Sequence, residues 1–403
     1  MKKFSYYFFI IALIGITSAC NDDDDETITD PQDPNAGLKS NIKETYADVV
    51  YGSYQDAMET AEELDIELDA FVANPSDQAL EEAKQAWLVA REYYGPTEAY
   101  RFSEGPIDAE DGPEGLLNAW PLDENYIDYV DGLPDAGIIN DLTTYPTLNA
   151  ALLESLNEEN GETNISIGYH AVEFLLWGQD NSDASLQTAG IRPFTDFVAG
   201  GTASNQERRA QYLQISMELL IGHLQVMIDA WAPNTSGNYR EEFLATSNDV
   251  VIRNILTGIG ILSKSELAGE RMVTPLANQN QEDEHSCFSD NTHRDIVLNA
   301  DGIRNVYTGS YMLRSGVMIE GGSIQELIGI VNNEVRLEMD ALSELTISTT
   351  NDISAPFDFA LTQETLGGDG EIMTAVRALQ DQGDKIAEMA AALGFTISTE
   401  LPE

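Results

Sequence analysis

The sequence predicts an all-α protein made of two helical bundles, and three observations support this prediction. From Leu38 onward, apolar residues recur at three- and four-residue steps, the spacing of one helical face. Strand-like alternation is rare, and hairpin dipeptides flanked by alternating apolar residues are absent. Two long helices followed by an irregular stretch occur in both halves, which suggests two bundles related by internal duplication.

The apolar periodicity gives the bounds of the long helices. The predicted helices cover 44–71, 76–102, 206–231, 239–271, 323–345 and 371–393. Ser76 or Asp77 is a suitable cap for the second of them. We therefore expect an N-terminal bundle over 38–204 and a C-terminal bundle over 205–403.

Two segments break the helical pattern and are expected to lie near the junction of the bundles. Residues 103–147 are rich in Gly, Pro and Asp yet contain several aromatic residues that need packing partners. Residues 273–294 form a second, shorter segment of the same kind. Because long irregular segments inside compact domains tend to carry function, these segments are expected to contribute candidate site residues.

The first residues have the layout of an export signal. Lys2 and Lys3 precede an apolar run over 4–16 and the small residues before Cys20, which is typical of a signal peptide over 1–19. The run is shorter than the roughly 20 residues that span a bilayer. The cysteine after small residues resembles the lipobox of bacterial lipoproteins, so Cys20 is the predicted lipidation site. The alternative is a plain secreted protein with a chance cysteine.

The segment after this cysteine, 20–37, is acidic and contains little to bury, and it is predicted to be a disordered tether. We expect a lipoprotein of the cell envelope, attached to the outer membrane through its lipid, on the periplasmic or the exposed face. Cys287 then has no disulfide partner. The formal net charge of −50 excludes nucleic acid as a partner and favours cations, although a solvated acidic surface explains most of it.

The segment SIGYHAVEFLLWGQD, residues 166–180, holds the strongest candidate site. His170 and Glu173 are three residues apart, so they share one face of a helix. Apolar neighbours surround them on nearly every side, which is typical of a buried helix. An ionised carboxylate in such a place needs a counter-charge, a hydrogen-bond donor or a metal.

The residues alone leave three interpretations of this pair open. It is a polar contact of the core satisfied by Arg101 or another basic side chain, a metal site, or an acid/base catalyst. An imidazole with a carboxylate suits iron, zinc or manganese. The HExxH motif is absent from the sequence, which excludes a standard zinc-helix peptidase.

Other polar residues of the irregular stretches are candidate neighbours of the site. They are Glu98, Arg101, Glu266, Arg271, Glu284, Ser286 and Asp290. For most of them, an ordinary solvated loop residue is the competing interpretation. His285 and His293 are predicted to be exposed.

Gly168, His170 and Glu173 fit the GxHxxE pattern of the imelysin-like family. Three further segments resemble that family in the expected order: REYYGPTEAYRFSEGPID, GPEGLLNAWPLDENYIDYV and EDEHSCFSDNTHRDI, at 91–108, 112–130 and 282–296. The resemblance covers essentially the whole mature chain. It implies an all-helical fold with a site between two halves and a metal bound by His170 and Glu173. Gly168 would let another segment approach His170 closely.

What the resemblance implies for function has two forms. Related domains occur in iron-regulated envelope proteins and in iron uptake, which implies an iron-binding role, with zinc as an alternative metal and iron-uptake components as partners. The family takes its name from a peptidase, which implies a metallopeptidase with Glu173 as its catalytic residue. A non-catalytic interaction module is the third function that we carry forward.

Overall fold

The computed structural model describes residues 33–402. The predicted signal peptide, Cys20 and most of the predicted tether lie outside these residues, and the first helix begins at Ala36. From Asn35 onward the chain forms one compact unit. Among the described residues, no helix has both the length and the apolar character needed to cross a membrane. The predicted boundary between 204 and 205 stays a prediction.

The fold is all-α, as predicted. The helices of the first half are α1 (Ala36–Ala73), α2 (Asp77–Tyr94), α3 (Glu114–Leu117), α4 (Glu124–Ile127), α5 (Ala150–Leu156) and α6 (Tyr169–Trp177). Next come α7 (Gln206–Trp231), α8 (Tyr239–Ala245), α9 (Asn248–Ile261), α10 (Thr274–Asn278) and α11 (Thr292–Thr308). The last are α12 (Ile324–Val331), α13 (Asn333–Asn351), α14 (Phe357–Gln363) and α15 (Glu371–Ala392).

A two-stranded antiparallel hairpin follows α11 and is a feature that the sequence did not predict. Its strands are β1 (Ser310–Met312) and β2 (Met318–Glu320), paired with Tyr311 opposite Ile319. The hairpin packs against α1, where the Tyr311 hydroxyl donates to Asp56 at 3.0 Å.

Three of the predicted helices differ from the structure. The predicted helix 323–345 divides at Asn332 into α12 and α13, and α13 continues to Asn351. The helix that begins after the Ser76 cap stops at Tyr94, and a 3₁₀ helix over Gly95–Tyr100 continues the chain. Pro96 near the start of that segment cannot donate an α-helical hydrogen bond, which explains the change. The predicted helix 239–271 divides into α8 and α9, and α9 continues as a π-helix over Leu262–Val273. Such π segments often occur at functional sites.

Helix α6 lies in the centre of the molecule, where it packs against α2 and α7. All nine of its residues are buried, as its apolar sequence predicts. The helix is bounded by Gly168 and Gly178, which both have positive φ, 94° and 71°. Since this backbone conformation is strained for residues with a side chain, the two glycines fix the length and position of α6.

Candidate metal centre

His170 and Glu173 are in direct contact inside the core. His170 Nδ1 lies 2.8 Å from Glu173 Oε2, and the two residues are 1% and 0% exposed. The other Glu173 oxygen, Oε1, accepts hydrogen bonds from the Ser289 backbone N–H at 2.9 Å and the Ser289 hydroxyl at 2.7 Å. Glu173 therefore receives donors at both oxygens, and Arg101, the partner considered from the sequence, is not among them.

A second histidine–carboxylate pair lies beside the first. His285 Nδ1 lies 2.8 Å from Asp295 Oδ2, and both residues are buried. The Ser286 hydroxyl donates to the same Asp295 oxygen at 2.5 Å. The amide nitrogen of Asn118 lies 3.4 Å from His285 Nε2.

The two imidazole rings meet edge to face, with centroids 4.6 Å apart and an angle of 77° between their planes. Burial lowers the pKa of His170 to about 3, and Arg91 adds to this effect. Burial and Arg271 likewise lower the pKa of His285 to about 3. Both rings are therefore neutral at physiological pH.

The tautomers of the two neutral rings are assigned from their contacts. Despite its burial, Arg91 and His285 hold the pKa of Asp295 well below its usual range, so this carboxylate is ionised, His285 Nδ1 carries the proton and Nε2 carries the lone pair. The Asn118 amide can donate to the lone pair of His285.

The same tautomer is assigned to His170 with Glu173 ionised; because burial raises the pKa of Glu173 to about 8, a metal at His170 Nε2 would displace the Glu173 proton. His170 Nε2 is buried and has no hydrogen-bond partner. A buried nitrogen lone pair without a donor is the state that a metal ion would satisfy.

Buried ion pairs surround the two histidine–carboxylate pairs and hold them in place. Arg91 donates to Asp295 from Nε and Nη2, at 3.3 and 3.1 Å, and to the Asn118 side chain at 2.5 Å. Arg271 donates to Glu98 at 2.6 Å. Burial alone would raise the pKa of Glu98, but Arg271 and nearby cations lower it to about 2, so this carboxylate is ionised.

Arg101 and Glu266 extend these ion pairs toward the surface. Arg101 lies within 4 Å of four carboxylates, those of Glu98, Asp108, Glu114 and Glu266. Glu266 also contacts Arg271 at 2.9 Å. The sequence analysis named these residues separately, and the fold brings them into one network.

Gly168 allows another segment of the chain to approach the start of α6 closely, as the sequence predicts. A Cβ atom at this residue would lie 2.7 Å from the carbonyl oxygen of Leu117, which is too close for any side chain. Leu117 precedes Asn118, so the missing side chain also lets the segment that carries the amide pack against the start of α6.

A cavity of about 390 Å³ opens beside His285. Its lining includes Arg101, Arg271 and Trp120. Five glutamates also line it: Glu114, Glu158, Glu162, Glu266 and Glu270. The glutamates of this wall favour the approach of a cation to His285, which is itself part of the lining.

Comparison with known proteins places this arrangement in a family. The family model named Peptidase M75, with the description Imelysin, matches residues 50–386, most of the chain. The chain belongs to the imelysin family.

Similar proteins of known sequence or structure agree with this assignment. Iron-regulated protein A of Synechococcus elongatus (strain ATCC 33912 / PCC 7942 / FACHB-805) is 28% identical over 269 residues. That match covers 65% of this chain and 62% of the relative, less than two thirds of the relative's length.

Two crystal structures show the same fold. One, from Parabacteroides distasonis ATCC 8503 and described as an iron-regulated protein A precursor, has a TM-score of 0.68 at 20% identity, covering 90% of this chain and 97% of that one. An imelysin-like protein from Psychrobacter arcticus 273-4 has a TM-score of 0.60 at 14% identity, covering 91% and 98%.

In this imelysin-family chain, the prediction that His285 is exposed was wrong, because it is 2% exposed and contacts His170. The polar residues around it resemble a solvated loop in the sequence, yet they satisfy one another inside the core. His293, also predicted to be exposed, is half-buried. Glu284 and Asp290 belong to a separate acidic cluster, whereas Ser286 joins the pair of His285 and Asp295.

Several residues that build this imelysin-family site were not predicted from the sequence. They are Arg91, Asn118, Ser289 and Asp295. Each lies in one of the three segments, 91–108, 112–130 and 282–296, that resemble the family. That shared location is the signal that could have found them.

Proposed function

We propose that this protein binds a transition-metal ion, iron, at His170 and His285 and serves in iron acquisition or handling in the cell envelope. The observation that carries the proposal is the buried, unpartnered Nε2 of His170 next to a second neutral imidazole. Glu173 and Asp295 would orient the rings from behind rather than bind the ion themselves. A metal-binding histidine commonly donates its other ring N–H, the one that does not face the metal, to a carboxylate.

Two imidazoles supply only part of the coordination shell of iron, which leaves several positions for water or for a ligand carried with the ion. Metal sites that keep open positions allow ligand exchange, whereas structural sites are closed by protein ligands. The proposed site therefore suits transient binding and transfer of the ion. The acidic wall of the cavity beside His285 supports delivery of a cation.

The relatives support the choice of metal. The protein from Synechococcus elongatus is named an iron-regulated protein, and imidazole is a suitable iron ligand. Zinc is the alternative ion, because it accepts the same nitrogen ligands.

The proposed location is the outer membrane, reached through a lipid on Cys20, with iron-uptake components as partners. The signal-like sequence before Cys20 supports this part of the proposal. Labelling cells with a fatty-acid analogue tests it. We expect the label on the wild-type protein and none on the Cys20→Ser variant.

A metallopeptidase is less consistent with the geometry. A general base must reach the water that attacks the substrate, but both Glu173 oxygens already accept hydrogen bonds. Incubation of the metal-loaded protein with unfolded protein substrates tests this alternative. If the wild-type protein cleaves these substrates and the Glu173→Gln variant does not, peptidase activity rather than iron handling would be the function.

Metal titration by calorimetry, with Fe²⁺ under anaerobic conditions and with Zn²⁺, tests the proposed binding. We expect the wild-type protein to bind and the His170→Gln and His285→Gln variants to lose binding. His223→Gln is the matched control, because His223 lies on α7 beside Glu154. Equal affinities of the wild type and all three variants would overturn the proposal.

A further inference from the structure

Three aspartates from distant parts of the chain meet in a second place. Oxygens of Asp180, Asp290 and Asp358 all lie within 4.8 Å of one another. Asp180 follows α6, Asp290 precedes α11, and Asp358 belongs to α14. Asp180 and Asp358 are 5% and 2% exposed, and Asp290 is half-buried. In the described part of the chain, this is the one group of three such side chains that satisfies this distance.

A fourth carboxyl group lies near the aspartates. Glu284 is 1% exposed, and neither of its oxygens has a partner at full hydrogen-bond geometry in the described chain, although the Thr292 hydroxyl is close enough to lower its pKa somewhat. The charges of Asp358, Asp290 and Asp180 act on it directly, since each contributes to raising the pKa of its carboxyl beyond the effect of burial. In Asp358, the oxygen Oδ2 is also buried without a partner, while Oδ1 accepts from the Phe359 backbone N–H at 2.5 Å.

Within the described chain, no basic side chain forms an ion pair with the cluster. Among the ion pairs of residues 33–402, none includes Asp180, Glu284, Asp290 or Asp358. Gln281 donates to the Asp180 backbone carbonyl at 3.0 Å, and it is a neutral group. Buried like charges without a counter-ion are costly, so the cluster must take up either protons or a cation.

The geometry fits a cation. Ca²⁺ binds oxygen ligands at about 2.3–2.6 Å, so two ligands of one ion lie at most about 5 Å apart. The spacing of the three aspartates is within this limit. The side chains of the cluster offer oxygen and neither nitrogen nor sulfur, which favours a hard ion such as Ca²⁺ over softer transition metals.

We propose that Asp180, Asp290 and Asp358, with Glu284 beside them, form a binding site for Ca²⁺ that is separate from the histidine pair. The ion would join three segments that are distant in sequence: the loop after α6, the segment before α11 and the start of α14. Phe357, next to Asp358, is fully buried and fixes α14 against the core, so the start of α14 is a firm attachment point.

The proposed ion would also steady the histidine site. Asp290 follows Ser289, whose N–H and hydroxyl donate to Glu173. A cation that holds Asp290 would restrain this serine and thereby the orientation of Glu173 and His170. The Ca²⁺ site itself does not depend on metal binding by the histidines.

Calorimetric titration of the chelator-treated full chain with CaCl₂, together with its thermal unfolding midpoint, tests the proposal. We expect wild-type protein to bind Ca²⁺ with a dissociation constant at or below about 1 mM, the weak end of natural Ca²⁺ modules. Ca²⁺ should raise the unfolding midpoint. Asp358→Asn and, independently, Asp180→Asn should lose both effects, which guards against misfolding of a single variant.

Two control variants distinguish Ca²⁺ binding at the aspartates from binding elsewhere on the protein. Asp369→Asn changes a fully exposed aspartate and should leave Ca²⁺ binding unchanged. His170→Gln should also retain it, so that loss of the histidine site and loss of the Ca²⁺ site are distinguishable. Absence of Ca²⁺ binding in the wild type, or a preference for Fe²⁺ or Zn²⁺ at the aspartates, would overturn the proposal. A higher unfolding midpoint of Asp358→Asn with no response of the wild type to Ca²⁺ would show that protons occupy the cluster instead.

Discussion

The imidazole rings of His170 and His285 stand edge to face with centroids 4.6 Å apart, and each ring has its Nδ1 2.8 Å from a buried carboxylate. One ring belongs to the apolar helix α6 and the other to the irregular segment before α11. Because each carboxylate faces Nδ1 of its ring, Nε2 is the nitrogen left for a ligand; within residues 33–402, His170 Nε2 has no partner, and His285 Nε2 meets only the Asn118 amide at 3.4 Å. Metal binding should therefore depend on the carboxylates behind the rings and on the packing that holds α6 in place.

Glu173→Gln should weaken metal binding without abolishing it. Glu173 contacts Nδ1 of His170, so the substitution removes an orienting group and leaves the metal-facing nitrogen in place. Loss of such an outer partner typically lowers metal affinity about 10- to 100-fold. Calorimetric titration with Zn²⁺ measures the change, with the partly exposed Glu154→Gln as control. A loss as complete as in His170→Gln would show that Glu173 binds the metal itself.

Gly168→Ala should destabilise the protein. The residue has φ of 94°, and a Cβ would lie 2.7 Å from the Leu117 carbonyl oxygen. Backbone strain of this kind costs about 1–3 kcal/mol before any clash is counted. Gly222→Ala, in the middle of α7 with open space around it, should instead stabilise by up to about 1 kcal/mol. Urea unfolding measures both, and equal stabilities of the two variants would contradict this account.

Asp128→Asn should destabilise the protein, because Asp128 binds the arginines that pack beside α6. Asp128 is fully buried and accepts hydrogen bonds from Arg209 at 2.6 and 2.8 Å and from Arg192 at 2.7 Å. Arg192 also lies 5.2 Å from the Phe174 ring of α6. The substitution removes the carboxylate shared by both guanidinium groups and leaves, among the described residues, only that of Asp196, 3.5 Å from Arg192. Breaking a buried ion pair in this way costs about 3–5 kcal/mol. Chemical denaturation measures the loss. The exposed Asp131→Asn should behave as the wild type, and a similar result for Asp128→Asn would contradict the prediction.

The metal-free protein should lose stability as the pH rises from about 6.5 to about 9. Burial raises the pKa of Glu114 and Glu282 to about 7 and that of Glu173 and Asp290 to about 8. In this range the unfolded chain has already released these protons, while the folded protein must still release them. Each raised pKa therefore contributes stability that disappears as the pH passes through the folded value. Thermal unfolding in chelator measures the trend.

The control for this pH dependence is the double variant Glu114→Gln and Glu282→Gln, which should lose less stability over the same pH range. A midpoint that stays constant or rises up to pH 9 in the wild type would contradict the stated direction of the pKa shifts.

The helical fold and the burial of α6 were predicted well from the sequence, because both depend on local patterns. Helices 206–231 and 371–393 were placed to within a residue, since their apolar faces repeat without interruption. The break of helix 239–271 was not predicted, because no proline lies in that range and tertiary packing, including the π segment, decides it.

The candidate site was predicted only in part, because half of it depends on contacts between distant segments. His170 and Glu173 stand out by their apolar surroundings, whereas His285 and Asp295 lie among polar residues that resemble a solvated loop. Their burial follows from pairing with Arg91 and Asn118 in other segments of the chain. Helical spacing carries no information about such pairings.

Anomalous diffraction from crystals of the protein loaded with Fe²⁺ without oxygen tests the central claim most directly. We predict an anomalous iron peak within bonding distance of Nε2 of His170 and Nε2 of His285. Glu173 should remain hydrogen-bonded to Nδ1 of His170. The peak should be absent in the His170→Gln variant. An iron peak bonded to Glu173, or no iron at either histidine in protein that has been saturated with it, would contradict the claim.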